Sequence, residues 1–110
     1  MFAILYQWNV NPEREADFIK AWSRLTAEIY ARQGSLGSRL HCADDGLFVA
    51  YAQWPGRHVW ERSKEIDFAP EAQGWRRTMQ ECAVRILPDA HMTVVDDQLI
   101  RASVGGSRPL

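Results

Sequence analysis

The chain has 110 residues, of which 46% are hydrophobic and 25% charged, with a formal charge of -1. A chain of this size buries about two-thirds of its unfolded surface, enough for one core and too little for two. The near-neutral charge builds no basic field for nucleic acid or an anionic membrane, and no apolar run reaches the roughly 20 residues of a membrane helix. Five tryptophans, three tyrosines and four phenylalanines stand out, pointing either to large core plugs or to an aromatic pocket. The start of the chain has no cationic segment and no small-residue cleavage site, so a cytoplasmic protein is expected. Cys42 and Cys82 show no CxxC or histidine spacing and are expected as two buried thiols rather than a disulfide.

Phe2 to Val10 reads as a strand, with Phe2, Ile4, Tyr6, Trp8 and Val10 on one face and Ala3, Leu5, Gln7 and Asn9 on the other. Asn11-Pro12-Glu13 then starts a helix: Asn caps, Pro occupies the first position, and the acid sits where the helix dipole favours it. Phe18, Trp22, Leu25 and Ile29 form its apolar stripe, widened by Ile19 and Ala16, and Gly34 ends it. A second strand is expected over Ser35 to Cys42, a hairpin turn at Ala43-Asp44-Asp45-Gly46, and a third strand over Leu47 to Trp54. That third strand is apolar on both faces, Leu47, Val49 and Tyr51 opposing Phe48, Ala50, Ala52 and Trp54, so both of its faces are covered.

Pro55-Gly56 breaks the strand. A short helix over Arg57 to Phe68 is expected to turn Val59, Trp60 and Ile66 inward, and a second helix from Glu71 to Ile86 carries Trp75, Met79, Cys82 and Ile86. Pro88 is expected to stop it before a fourth strand, Ala90 to Val95. From about Ser103 the composition is that of a mobile terminus. The expected organisation is one domain over residues 1–97 and a partly flexible tail over 98–110.

The order β-α-β-β-α-β is that of an α+β, ferredoxin-like sandwich: a four-stranded antiparallel sheet with helices on one face. The other face still carries large apolar side chains and needs a cover. A homodimer with its sheets face to face is the simplest one.

The stretch Val10-Asn11-Pro12-Glu13, the Phe18 to Trp22 helix face, Gly34-Ser35-Leu36-Gly37-Ser38-Arg39-Leu40 and Phe48-Val49-Ala50-Tyr51-Ala52-Gln53-Trp54 together resemble the antibiotic biosynthesis monooxygenase family of the dimeric α/β-barrel superfamily. The resemblance covers about residues 2–97 and rests on fold motifs. It implies a dimer and, in one branch, oxidation of phenols or quinols by molecular oxygen with no metal or other cofactor. A second branch of that family opens haem. It relies on an asparagine, a tryptophan and an axial histidine where this chain holds Tyr6, Ser63 and Gln73, so haem degradation is disfavoured.

Among residues able to carry chemistry, His58 follows the break after the third strand and is the candidate proton acceptor, since an imidazole titrates near neutrality. The plain alternative is an exposed residue at a helix start. His41 and His91 lie on different strands without ligand spacing, and no metal site is expected. Tyr6, Tyr51, Trp54 and Trp60 are candidates to line a flat pocket beneath the helices for a small apolar aromatic molecule, ordinary core packing being the alternative. Trp22 and Trp75 are accounted for by helix stripes and Trp8 by a sheet face that needs covering. Arg76 is a weaker candidate, as a cation over an enolate or phenolate oxygen. No nucleophile elbow, dinucleotide fingerprint or P-loop is present. Two functional readings follow: a cofactor-independent monooxygenase, or a non-catalytic dimeric module for small-molecule binding or assembly. An empty space beside Trp54, Trp60 and His58 would favour the first, and tight packing there the second.

Overall fold

The computed structural model describes residues 1–100. The tail expected from residue 98 lies, beyond residue 100, outside the described residues. Strand β1 (Phe2–Val10) is central, and the sheet order is β2-β3-β1-β4 with β2 (Ser38–Cys42), β3 (Leu47–Trp54) and β4 (Ala83–Thr93), all neighbours antiparallel. This is the ferredoxin-like arrangement expected from the sequence. Helices α1 (Glu15–Arg32), α2 (Arg57–Ser63) and α3 (Pro70–Cys82) lie on one face of the sheet. No described helix is long and apolar enough to cross a membrane.

The bounds of β1 and β3 match the expected ones, set by the turn and break residues beside them: Asn11-Pro12 after β1, Asp45-Gly46 before β3 and Pro55-Gly56 after it. Phe2, Ile4 and Val10 of β1 pack under the helices beside Phe48 and Trp54 of β3. Trp8 lies on that same covered side, its ring 5.2 Å from Phe18 of α1, and Phe18 lies 5.4 Å from Phe48. The Asn11 side chain accepts from the Glu13 N–H at 2.9 Å, starting a 3-10 turn over Pro12–Arg14 that runs into α1. The Asn11 N–H donates to the Cys82 carbonyl, tying the start of α1 to the end of α3.

Phe18, Ala21 and Leu25 form the buried stripe of α1, whereas Ile19 and Ala16 are exposed. Each residue advances about 100° around a helix, which carries Ile19 off the face that Phe18 occupies. Strand β2 begins at Ser38 rather than Ser35. Gln53 uses both its backbone groups on the preceding loop, accepting from the Leu36 N–H and donating to the Gly37 carbonyl. Leu36 is left exposed. Of the two cysteines, Cys82 is buried and Cys42 is exposed, so only one of the expected buried thiols is buried.

The largest departure lies between residues 83 and 90. The helix expected to reach Ile86 ends at Cys82, and β4 begins at once. Ile86 continues the helical spacing of Met79 and Cys82, but the outer edge of β1 needs hydrogen-bond partners. Ala83, Arg85, Ile86 and Leu87 supply them, pairing with Val10, Asn9, Trp8 and Gln7. Pro88 therefore sits inside the strand. It is tolerated because β4 is an edge, and the register shift between Leu5 and Gln7 places Pro88 and Asp89 in a bulge. The expected short helix likewise stops at Ser63, and Ile66 beyond it is exposed.

Candidate functional site

Two apolar clusters lie under the helices. The larger joins α1 and α3 to the sheet around Phe18. The smaller is made of Phe2, Ile4, Trp54 and Trp60, with Tyr6 and Val59 against it, and lies beneath α2. The smaller cluster meets the edge of the sheet, and polar chemistry gathers there. Alternation puts Phe2, Ile4 and Tyr6 on the same side of β1, and the β1–β4 register sets His91 opposite Ile4. Helix α2 then lays Trp60 over this row. The Trp60 ring lies 5.4 Å from Phe2 and 4.7 Å edge-on from His91, and the His91 ring is 6.2 Å from Phe2.

Nε2 of His91 is 2.9 Å from a carboxylate oxygen of Asp89, the bulge residue two positions earlier. Two cations sit over the aromatic faces of the cluster: Lys64 Nζ 3.8 Å from the centre of the Trp60 ring, and the Arg57 guanidinium 4.6 Å from that of Phe2. Burial pushes the Tyr6 phenol pKa above its ordinary value. The negative charge of Asp89 pushes it further the same way, and a hydrogen bond with Trp60 opposes the shift. Trp54 is 4% exposed, and its indole N–H has no hydrogen-bond partner.

Tyr6, Trp54 and Trp60 are thus brought together, and the other candidates stand elsewhere. Tyr51 pairs with Leu5 and Arg39 and faces the open side of the sheet. It is three residues from Trp54, so alternation along β3 sends the two side chains to opposite faces. There Tyr51 borders a concavity of about 330 Å³ with Val94, Asp96 and Leu99. His58 is exposed, its ring folded over Gly56: a Cβ on Gly56 would lie 2.8 Å from the imidazole. Two positions along a helix correspond to about 200°, so His58 points away from Trp60 across α2. Arg76 lies on the outer side of α3, 5.9 Å from the Phe68 ring, beside a concavity of about 320 Å³ with Gln73, Arg77 and Gln80.

Ser63 and Gln73 are occupied locally: the Ser63 hydroxyl donates to the Trp60 carbonyl, and the Gln73 amide donates to the Phe68 carbonyl. Among the described residues, no group of three or more His, Cys, Asp or Glu side chains is placed to hold a metal ion.

The sequence reading missed His91 as a possible base and Asp89, Arg57 and Lys64 altogether. The signal for His91 was present, since it shares the strand phase of Thr93 against Met92. Its place beside Trp60 depended on the β1–β4 register, which the bulge at Pro88 concealed.

No family model and no curated protein matches the sequence. Solved structures do match. Rv0793 from Mycobacterium tuberculosis superposes with a TM-score of 0.70 at 14% identity, over 89% of this chain and 98% of that one. A provisionally assigned antibiotic biosynthesis monooxygenase from Caulobacter crescentus gives a TM-score of 0.70 at 14% identity, over 86% and 90% of the two chains. SnoaB from Streptomyces nogalater, a cofactor-independent oxygenase, gives 0.69 at 15% identity, over 88% and 95%. The chain has the antibiotic biosynthesis monooxygenase fold. Within that fold, the antibiotic biosynthesis monooxygenase-like sheet carries the Tyr6–Trp60–His91 group on its helix side and Tyr51 on its open side.

Proposed function

We propose that this protein is a cofactor-independent monooxygenase acting on a phenol or quinol of small, largely apolar, aromatic shape. The observation that carries the reading is the partly exposed His91 imidazole, hydrogen-bonded to Asp89 and set against the buried aromatic cluster of Phe2 and Trp60, with two cations over those rings. The fold shared with an oxygenase of that type supports it. The partly exposed imidazole accepts a phenolic proton, and Arg57 and Lys64 favour the negative charge that results.

The overall reaction balances without an external reductant. A phenol with a free para C–H gains one oxygen atom and becomes a quinone, while the other oxygen leaves as water. Loss of the phenolic proton gives a phenolate whose para carbon is electron-rich and bonds to dioxygen. The resulting peroxide takes up a proton. Loss of the C–H proton at that carbon then breaks the O–O bond, forms the second carbonyl and expels hydroxide, which is protonated to water. All four electrons that reduce dioxygen come from the substrate.

The burial of Trp54 and Trp60 favours the second reading, a binding or assembly module. Oxygen uptake with a panel of polyphenols and quinols separates the two. The oxygenase reading expects 1,5-dihydroxynaphthalene, or a related member with a free para C–H, to be consumed in air and to persist under anaerobic conditions. Tight binding of aromatics with no oxygen-dependent turnover across the panel would leave the binding module. The proposal also includes a homodimer formed through the open sheet face, where Leu5, Val49, Tyr51 and Met92 are only partly covered.

A further inference from the structure

We infer that His91 is the proton acceptor of this site, rather than His58, and that Asp89 positions it, with a phenolic hydroxyl as the proton donor. The inference rests on the oxygenase reading for the reaction that follows, but the proton transfer is testable without it.

Of the three histidines, His91 is the one whose ring meets a carboxylate. A carboxylate accepts, so in the neutral imidazole Nε2 of His91 carries the proton and Nδ1 holds the lone pair that a base needs. His41 turns its Nδ1 to the Val49 carbonyl at 3.0 Å on the other side of the sheet. His58 lies on the outer side of α2.

The His91 ring is held edge-on against Trp60, with Phe2 behind it, so its plane is set by two buried aromatics. Its side chain keeps 35% exposure, enough to be reached from solution. The charged and titratable groups facing it come from three elements. Asp89 lies on β4 itself and Tyr6 on β1, while Arg57 of α2 and Lys64 just after it sit over Phe2 and Trp60. Asp89 opposes the charge of the imidazolium that forms, and the two cations oppose that of the phenolate. Tyr6, kept neutral by its surroundings, does not compete as a base and is free to donate a hydrogen bond. The step moves one proton from the phenol oxygen to Nδ1 and needs no oxidant or reductant.

The probe is para-nitrophenol, whose phenolate is yellow, added anaerobically to the whole protein. Bound probe is expected to be ionised about tenfold or more beyond free probe at the same pH. His91→Gln abolishes that excess, and Asp89→Asn reduces it while leaving the affinity for the probe nearly unchanged. In air, with dihydroxynaphthalene, His91→Gln lowers kcat roughly 100-fold with little change in KM. Asp89→Asn lowers kcat in the same direction, and circular dichroism checks that both variants fold. The Asp89 side chain is 42% exposed, so its replacement keeps the test available if His91→Gln does not fold. Ionisation of the probe without oxygen turnover supports the assignment and removes the oxygenase reading. Failure of the probe to bind, binding without ionisation, undiminished ionisation in both variants, or loss in His58→Ala alone would overturn the assignment.

Discussion

Tyr6 shows how one residue serves packing and chemistry together. Its ring stacks on Trp8 with centres 5.9 Å apart, and it packs against the cluster beneath α2. Burial, reinforced by Asp89, raises its pKa above the ordinary 10.0. In the window between the unfolded and folded values, the folded state binds more protons than the unfolded chain. This contribution to stability is therefore complete below about pH 10 and is lost as pH rises through the folded-state value. Urea midpoints measured across that window should fall more steeply in the wild type than in Tyr6→Phe. Equal slopes would show that the phenol is not shifted. At this scale, Tyr6, Trp54 and Trp60 were legible in the sequence because each completes the apolar period of its element. The separation of Tyr51 from Trp54 was legible too, since they differ by an odd number of positions along one strand. The pairing of His91 with Asp89 was not, because it depends on where the chain bulges.

Among the elements, α1, β1 and β3 follow from local patterns, whereas the boundary between α3 and β4 does not. Cys82 and Ile86 satisfy a helical spacing, and the hydrogen-bond needs of the β1 edge override it. Local periodicity is silent about an edge that another strand must complete. The connection from α1 to β2 was readable through Gly34, whose φ is +89°, a value that Gly46 in the hairpin turn shares. Their surroundings differ: a Cβ at Gly34 would come within 2.9 Å of Val59 Cγ1 in α2, while none lies within 4 Å at Gly46. Gly46→Ala should therefore cost about 1 kcal/mol from backbone strain alone. Gly34→Ala should cost about 2–3 kcal/mol, because a β-branched side chain must also move. Chemical denaturation of the two variants checks the order, and equal losses would mean that the Val59 contact is not tight.

For the molecule as a whole, the helices cover one side of the sheet and leave the other open. Leu5 sits on the central strand of that open side, flanked by Tyr51 and Ala90. If two copies meet there, a carboxylate at this position lies buried and unpaired at the interface. Sedimentation should find the wild type dimeric and Leu5→Glu monomeric, with far-UV circular dichroism preserved. A monomeric wild type would remove the face-to-face arrangement. The sequence pointed to this face through the two-sided apolar pattern of β3, since helices enough for one side leave the other bare. If the site beneath α2 directs dioxygen onto a phenolic ring without an added reductant, the oxygen atoms of the products carry the record of it. Turnover of 1,5-dihydroxynaphthalene, which has a free para C–H, is followed by mass spectrometry under isotopically labelled dioxygen. One labelled oxygen atom is expected in each quinone formed, with labelled water as the other product. Unlabelled quinone, or no product above the protein-free rate, would contradict that reaction.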